Sequence, residues 1–280
     1  MPLVRMDDLL KQARKENIAL GAFECWDSAS IQGICMAAKR CNSPVIFQAT
    51  PLEYSLIGGA DALSSAVNFY VKKYDITAAL HLDHSSTLEQ VEDCLKSGFT
   101  SIMLDASVHN FEKNAELSAQ AAEMAEAYNA SSEAELGHVG GGGDGGSASE
   151  SVLTVPEEAA EFVRITGVNC LAVAIGTVHG DYVGKPELRL DRLEKIASSV
   201  SVPLVLHGGS GTPHDLLQKA IKLGISKINI CTDLNKAYLN GIEHARQTLK
   251  PSVPGTFYIP AMEMLAEKTS EMIKLFRHEI

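Results

Sequence analysis

Short apolar runs alternate along this chain with longer stretches whose apolar positions recur every three or four residues, and the alternation continues to about residue 230. The short runs predict eight buried strands, at residues 19–23, 44–48, 78–82, 101–104, 132–136, 171–175, 203–206 and 227–230. The intervening stretches read as helices. Leu88-Glu89-Gln90-Val91-Glu92-Asp93-Cys94-Leu95 has helical apolar spacing and a stop at Ser97-Gly98, while residues 213–222 are opened by Thr212-Pro213 and closed by Gly224. Eight strand–helix alternations favour a closed parallel (β/α)8 TIM barrel over an open sheet. Residues 260–277 add a C-terminal helical extension that covers the barrel or a neighbour.

Composition narrows the class without changing the fold. With 280 residues, 45% of them hydrophobic, one barrel domain over residues 1–280 is expected rather than two smaller ones. A formal net charge of −11 disfavours nucleic-acid and anionic-membrane partners, since either would meet a like-charged surface. There is no apolar stretch of membrane-spanning length and no signal-peptide core in residues 1–14, so a cytoplasmic location is the expectation. Cysteines 25, 35, 41, 94, 170 and 231 lack Cys-x-x-Cys spacing and read as reduced, packed thiols.

The chemistry lies where the strands end. Glu24, Thr50, Asp83, His84, Asp105, Ser107, Glu133, Glu135, His179, His207, Asn229 and Thr232 all fall within or just after the C-terminal ends of the predicted strands, the face on which barrel enzymes build their sites. Three of these are histidines following strands three, six and seven. Three imidazoles around one ion, with a coordination position left open, is what a catalytic zinc needs, and Asp83 beside His84 supplies a proton carrier. A lone histidine is more often a hydrogen-bonded structural residue, and His109, His138, His214, His244 and His278 are read that way. Gly208-Gly209-Ser210-Gly211 before the seventh helix, and Asn229-Ile230-Cys231-Thr232 after the eighth strand, offer donors for an anion where many barrels hold a phosphate. Read blandly, these glycines only make a tight turn.

The Leu-His-Leu-Asp-His run, Glu133-Ala134-Glu135-Leu136-Gly137, Ala174-Ile175-Gly176-Thr177-Val178-His179-Gly180, His207-Gly208-Gly209-Ser210-Gly211 and Lys227-Ile228-Asn229 resemble the class II, metal-dependent ketose-bisphosphate aldolases, nearly end to end. The resemblance implies reversible cleavage of a phosphorylated ketose, of the fructose or tagatose 1,6-bisphosphate type, to dihydroxyacetone phosphate and an aldehyde. It implies Zn2+ on His84, His179 and His207, with Asp105 and Glu135 in supporting or alternative metal contact. Asp83 would be the acid/base at the C4 hydroxyl, and Gly180, Gly208, Ser210 and Thr232 would bind the C1 phosphate. Asn229 would touch the enediolate, and Glu24 and Thr50 would face substrate. A monovalent cation, Na+ or K+, near the phosphate and a homodimer or homotetramer are also implied.

Departures from the family pattern bear on specificity. The glutamate usual in the loop after strand five is replaced by glycine within the glycine-rich run 140–146, leaving Asp144 as a substitute proton carrier. Asn235 stands where arginine or lysine is common, Gly255 where arginine is expected, and Glu24 where asparagine is usual. Two fewer cations and one more carboxylate weaken a site for a distal phosphate, so a C6-modified ketose 1-phosphate such as the 6-deoxy-6-sulfo compound, which would yield sulfolactaldehyde, is an alternative. Lys185, Lys236, Arg246 and Arg277 are candidates for a relocated cation. A non-catalytic sugar-phosphate-binding barrel, and a zinc hydrolase or epimerase on the same fold, are further alternatives.

Overall fold

The computed structural model describes residues 3–141, 150–182, 184, 186–249 and 253–280. Eight parallel strands, β1 (Leu20–Glu24), β2 (Val45–Ala49), β3 (Ala78–Ser85), β4 (Ser101–Leu104), β5 (Ser131–Leu136), β6 (Cys170–Val173), β7 (Leu204–Leu206) and β8 (Ile225–Ile230), pair in chain order, and β8 returns to β1. The barrel is therefore closed, a TIM barrel, and each strand lies within three residues of its predicted position. The predicted helices are present as Leu88–Lys96, His214–Lys222 and Tyr258–Phe276. The last packs along Ser28–Cys41 and Thr232–Thr248 and against β1, and so closes the outer layer there.

Alternation along the strands divides apolar from polar inside the barrel. Phe23, Phe47, Leu80, Leu82, Ile102, Leu171, Leu204 and Ile228 point outward into the helix-covered core, while Leu20, Ala22, Ile46, Ala79, Cys170, Ala172 and Val205 form a separate inner cluster. That inner cluster occupies one end of the barrel and is sealed by Met6, Leu10 and Ala13 of the helix Met6–Glu16. The hydrophobic pattern does not reveal this plug, because charged residues interrupt its short apolar stripe. Further along the same inward-facing rows come Gln48, His81, Asp83, Glu133, Lys227 and Asn229, all buried. The barrel is thus apolar at its amino end and polar at its carboxyl end.

β3 contains an irregularity that shapes the site. The β3–β4 register shifts between Leu82 and Ser85, and His84 adopts a left-handed backbone with φ 45°. On a regular strand Asp83 and His84 would face opposite sides. The bulge turns both toward the barrel mouth, at a cost of order 1–2 kcal/mol for a non-glycine residue in this region.

Candidate active site

The β3 bulge and the ends of β6 and β7 bring the three predicted histidines together. Each offers a ring nitrogen, and these atoms lie within 4.8 Å of one another. The rings of His84 and His179 are 4.9 Å apart, and those of His84 and His207 are 4.7 Å apart. Carboxylates fix the rings from behind. Asp105 Oδ2 is 2.8 Å from His84 Nδ1, which directs Nε2 inward, and Glu133 Oε1 is 2.9 Å from His207 Nε2, which directs Nδ1 inward.

The donor set fits a divalent ion. His207 Nδ1 and Glu135 Oε2 are buried 3.1 Å apart, yet neither makes a hydrogen bond, so two polar atoms meet at the centre of the cluster without satisfying each other. Three imidazoles suit zinc, with a carboxylate at hand as a further oxygen ligand. Burial together with His84 and His207 pushes the His179 pKa down to about 3, the neutral form a ligand needs. Burial opposes charge on His207 as well, but the hydrogen-bonded Glu133 carboxylate and the nearby Glu135 carboxylate overcome it and push the pKa up to about 9.

Asp83 sits beside this cluster and is almost wholly buried. Asn229 Nδ2 donates to both of its oxygens at 3.3 and 3.2 Å, Gln48 Nε2 donates to Oδ2 at 3.2 Å, and His81 Nε2 lies 3.6 Å from Oδ1. Burial disfavours the carboxylate, but His84, His81, Lys227 and His207 outweigh it and hold Asp83 well below the usual carboxylate range. Beneath it, the fully buried Lys227 donates to Glu133 at 3.1 Å. Glu133 links the Lys227 ammonium to His207.

A cavity joins Asp83 to the loops after β7 and β8. It is lined by Gln48, Asp83, His179, Gly180, Gly208, Ser210, Asn229, Cys231 and Thr232. Gly208 has φ 65°, and a Cβ there would lie 2.3 Å from the Val178 carbonyl, so only glycine lets the two loops approach this closely. Ser210 Oγ accepts from the Asp233 amide in the first turn of the Thr232–Thr248 helix, and Tyr182 donates to the Gly208 carbonyl at 3.1 Å. Gln48 and Tyr182 escape sequence reasoning, because a buried glutamine and a loop tyrosine carry no spacing signal. Asp144 lies outside the described residues.

The sequence model of class II fructose-bisphosphate aldolases matches residues 4–279. The chain belongs to that family. This aldolase is 39% identical over 244 residues to the fructose-bisphosphate aldolase of Geobacillus stearothermophilus, covering 86% of this chain and 85% of that protein. It is 35% identical over 278 residues to the sulfofructosephosphate aldolase of Alkalicoccus urumqiensis, covering 97% and 95% respectively. The crystal structure of the YdjI aldolase of Escherichia coli superposes with a TM-score of 0.86 at 30% identity, covering 98% of this chain and 97% of that one. Among the described residues of the aldolase, no helix is long and apolar enough to cross a membrane.

The outer rim of the site is acidic. Glu24 Oε2 accepts from Gln48 Nε2 at 2.7 Å and Oε1 accepts from the Thr50 amide at 3.2 Å, and Glu53 Oε2 accepts from the same amide at 2.7 Å. Glu24, Glu53 and Cys231 present atoms within 4.8 Å of one another. Asn235 donates toward Cys231 Sγ at 3.4 Å, and Gly255 lies exposed in the short helix Pro254–Phe257 with open space around it. The cations named as replacements are engaged elsewhere. Lys236 pairs with Asp181, Arg246 with Glu243, and Arg277 with Glu279 and the Cys41 carbonyl; Lys185 lies outside the described residues.

Proposed function

We propose that the chain is a zinc-dependent aldolase that reversibly cleaves the C3–C4 bond of a ketose 1-phosphate to dihydroxyacetone phosphate and an aldehyde. The observation that carries this reading is a cluster of three imidazoles, one of which, His179, lines a single cavity together with the buried Asp83 carboxylate and the loops after β7 and β8. His84, His179 and His207 would hold the ion, with Asp105 orienting His84 and Glu135 beside His207. When bound, the ion supplies a Lewis acid for the negative charge that develops on substrate oxygens as the bond breaks.

The chain's own groups carry the remaining work. Asp83, held ionised, takes the C4 hydroxyl proton as C4 becomes the aldehyde carbonyl, and the bonding pair stays with C3 of the three-carbon half. In the condensation direction Asp83 returns that proton. Gly180, Gly208, Ser210 and Thr232 would bind the C1 phosphate through backbone amides and hydroxyls, near a helix N-terminus whose dipole favours an anion. Asn229, on the cavity wall beside Asp83, would donate to the enediolate half, and Asp144 is proposed to exchange the C3 proton. A Na+ or K+ ion near the phosphate, cytoplasmic location and assembly as a homodimer or homotetramer complete the proposal.

Relatives named for fructose bisphosphate support a bisphosphate substrate, and the sulfofructosephosphate relative supports a 6-deoxy-6-sulfo alternative. The test follows dihydroxyacetone phosphate released by the zinc-loaded protein and its His84→Ala and Asp83→Ala variants. Loss of about 100-fold or more in both is expected. Full activity in both variants, or phosphate or an isomer released without a three-carbon fragment, would sink the reading.

A further inference from the structure

His84 and His207 are oriented through their rings by carboxylates, and His179 is held through its main chain as well. It lies well beyond the end of β6 at Val173, where the strand no longer fixes the backbone. Its amide donates to the Gly140 carbonyl at 2.8 Å, and Gly141 pairs with it as a parallel bridge. Gly141 has φ 116°, and a Cβ there would lie 2.8 Å from the His179 nitrogen and closer still to its carbonyl oxygen. A side chain at this position and the present place of His179 therefore exclude each other. The same short segment reaches a second group of the site. The Val139 amide donates to Glu135 Oε1 at 2.8 Å, while Oε2 of that carboxylate stands 3.1 Å from His207 Nδ1. Main-chain groups of residues 139–141 thus tie Glu135 on β5 to His179 in the loop after β6. The chain that returns toward the next helix fixes this segment in turn. His138 and Val152 exchange amide hydrogen bonds at 2.7 and 2.8 Å, and Ser151 Oγ accepts from the Gly140 amide at 3.0 Å.

We infer that residues 139–141 form a main-chain bracket that sets where His179 stands relative to Glu135 and His207, and that Gly141 and Ser151 are positioning residues for the metal site, acting through His179. The inference rests on the metal ligands proposed above. Zinc–nitrogen bonds tolerate little error in length, so a shift of the His179 backbone is felt directly as lost affinity.

The test is the zinc affinity of the full-length protein, read by competition with a chromophoric chelator and so independent of turnover. Gly141→Ala should weaken zinc binding about 10–100-fold, as loss of a ligand-orienting partner does. Ser151→Ala, at an exposed position, should weaken it about threefold, and Ser151→Thr, which keeps the hydroxyl, should restore wild-type affinity. Both losses should vanish in a His179→Ala background, where no imidazole is left to position; a loss caused by general weakening of the fold would persist there. Unchanged affinity in Ser151→Ala or in folded Gly141→Ala, no restoration by Ser151→Thr, or an equal loss with and without His179 would overturn the inference while leaving the aldolase reading intact. Should Gly141→Ala fail to fold, the Ser151 variants decide by the same comparison. Wild-type affinity in His179→Ala itself would overturn the ligand assignment, and the inference with it.

Discussion

His207 shows how the surroundings of a single side chain would prepare it for the proposed metal. Glu133 and Glu135 flank its two nitrogens and raise its pKa to about 9, against about 6.5 for an ordinary histidine. Below pH 9 the metal-free protein therefore carries a proton on His207 that a metal ion must displace, since only neutral imidazole coordinates. Zinc binding at pH 7 should release at least one proton, measured by calorimetry in buffers of different ionisation enthalpy, and affinity should rise with pH up to about 9. Release of no proton would contradict this. The stability sign is opposite for the metal-free protein. A raised folded-state pKa contributes stability that is fully present below about pH 6.5 and is lost as pH rises through about 9. Asp83 behaves in the reverse sense: its depressed pKa keeps it a carboxylate across the working range, available as a base.

Among the elements, β5 and β8 show why a barrel interior can be charged. Glu133 and Lys227 are fully buried, and their pairing sets the electrostatics under both His207 and Asp83. Lys227→Met leaves the Glu133 carboxylate buried without its ammonium, and should cost about 3–5 kcal/mol in urea denaturation. Adding Glu133→Gln should recover part of that loss while weakening zinc binding about 10–100-fold, because the partner of His207 Nε2 has changed from carboxylate to amide. Equal stability of Lys227→Met and wild type would refute this account of the pair. β3 marks the limit of what strand patterning can tell. Period-two alternation places Glu133 and Glu135 on one face, as found, but assigns Asp83 and His84 to opposite faces. Only the bulge at His84, invisible to hydrophobic patterning, makes them neighbours in the site.

At the scale of the whole molecule, two ends of one barrel do different work. The amino end is an apolar plug in which Leu10 is fully buried among β-strand side chains, remote in chemistry from the polar mouth. Leu10→Ala should therefore lower stability by about 2–5 kcal/mol in urea denaturation with zinc affinity unchanged; an unaffected midpoint would show that the plug is not part of the cooperative core. The barrel and the mouth residues were legible in the sequence because strand order in a parallel barrel follows chain order, so residues at successive strand ends must meet. Gln48, Tyr182 and the Glu133–Lys227 pairing were not legible, since each depends on which side chains meet across the barrel and its loops rather than along the chain.

The central claim is that the three histidines, Asp83 and the phosphate loops act together in metal-dependent carbon–carbon cleavage. The most direct measurement is dihydroxyacetone phosphate release from a ketose 1-phosphate by protein stripped with a chelator and then titrated with zinc. The account predicts negligible release from stripped protein and recovery that saturates at one zinc per chain. Release that persists after complete metal removal, or protein that binds one zinc yet liberates no three-carbon product from mono-, bis- or sulfo-substituted ketose 1-phosphates, would contradict it.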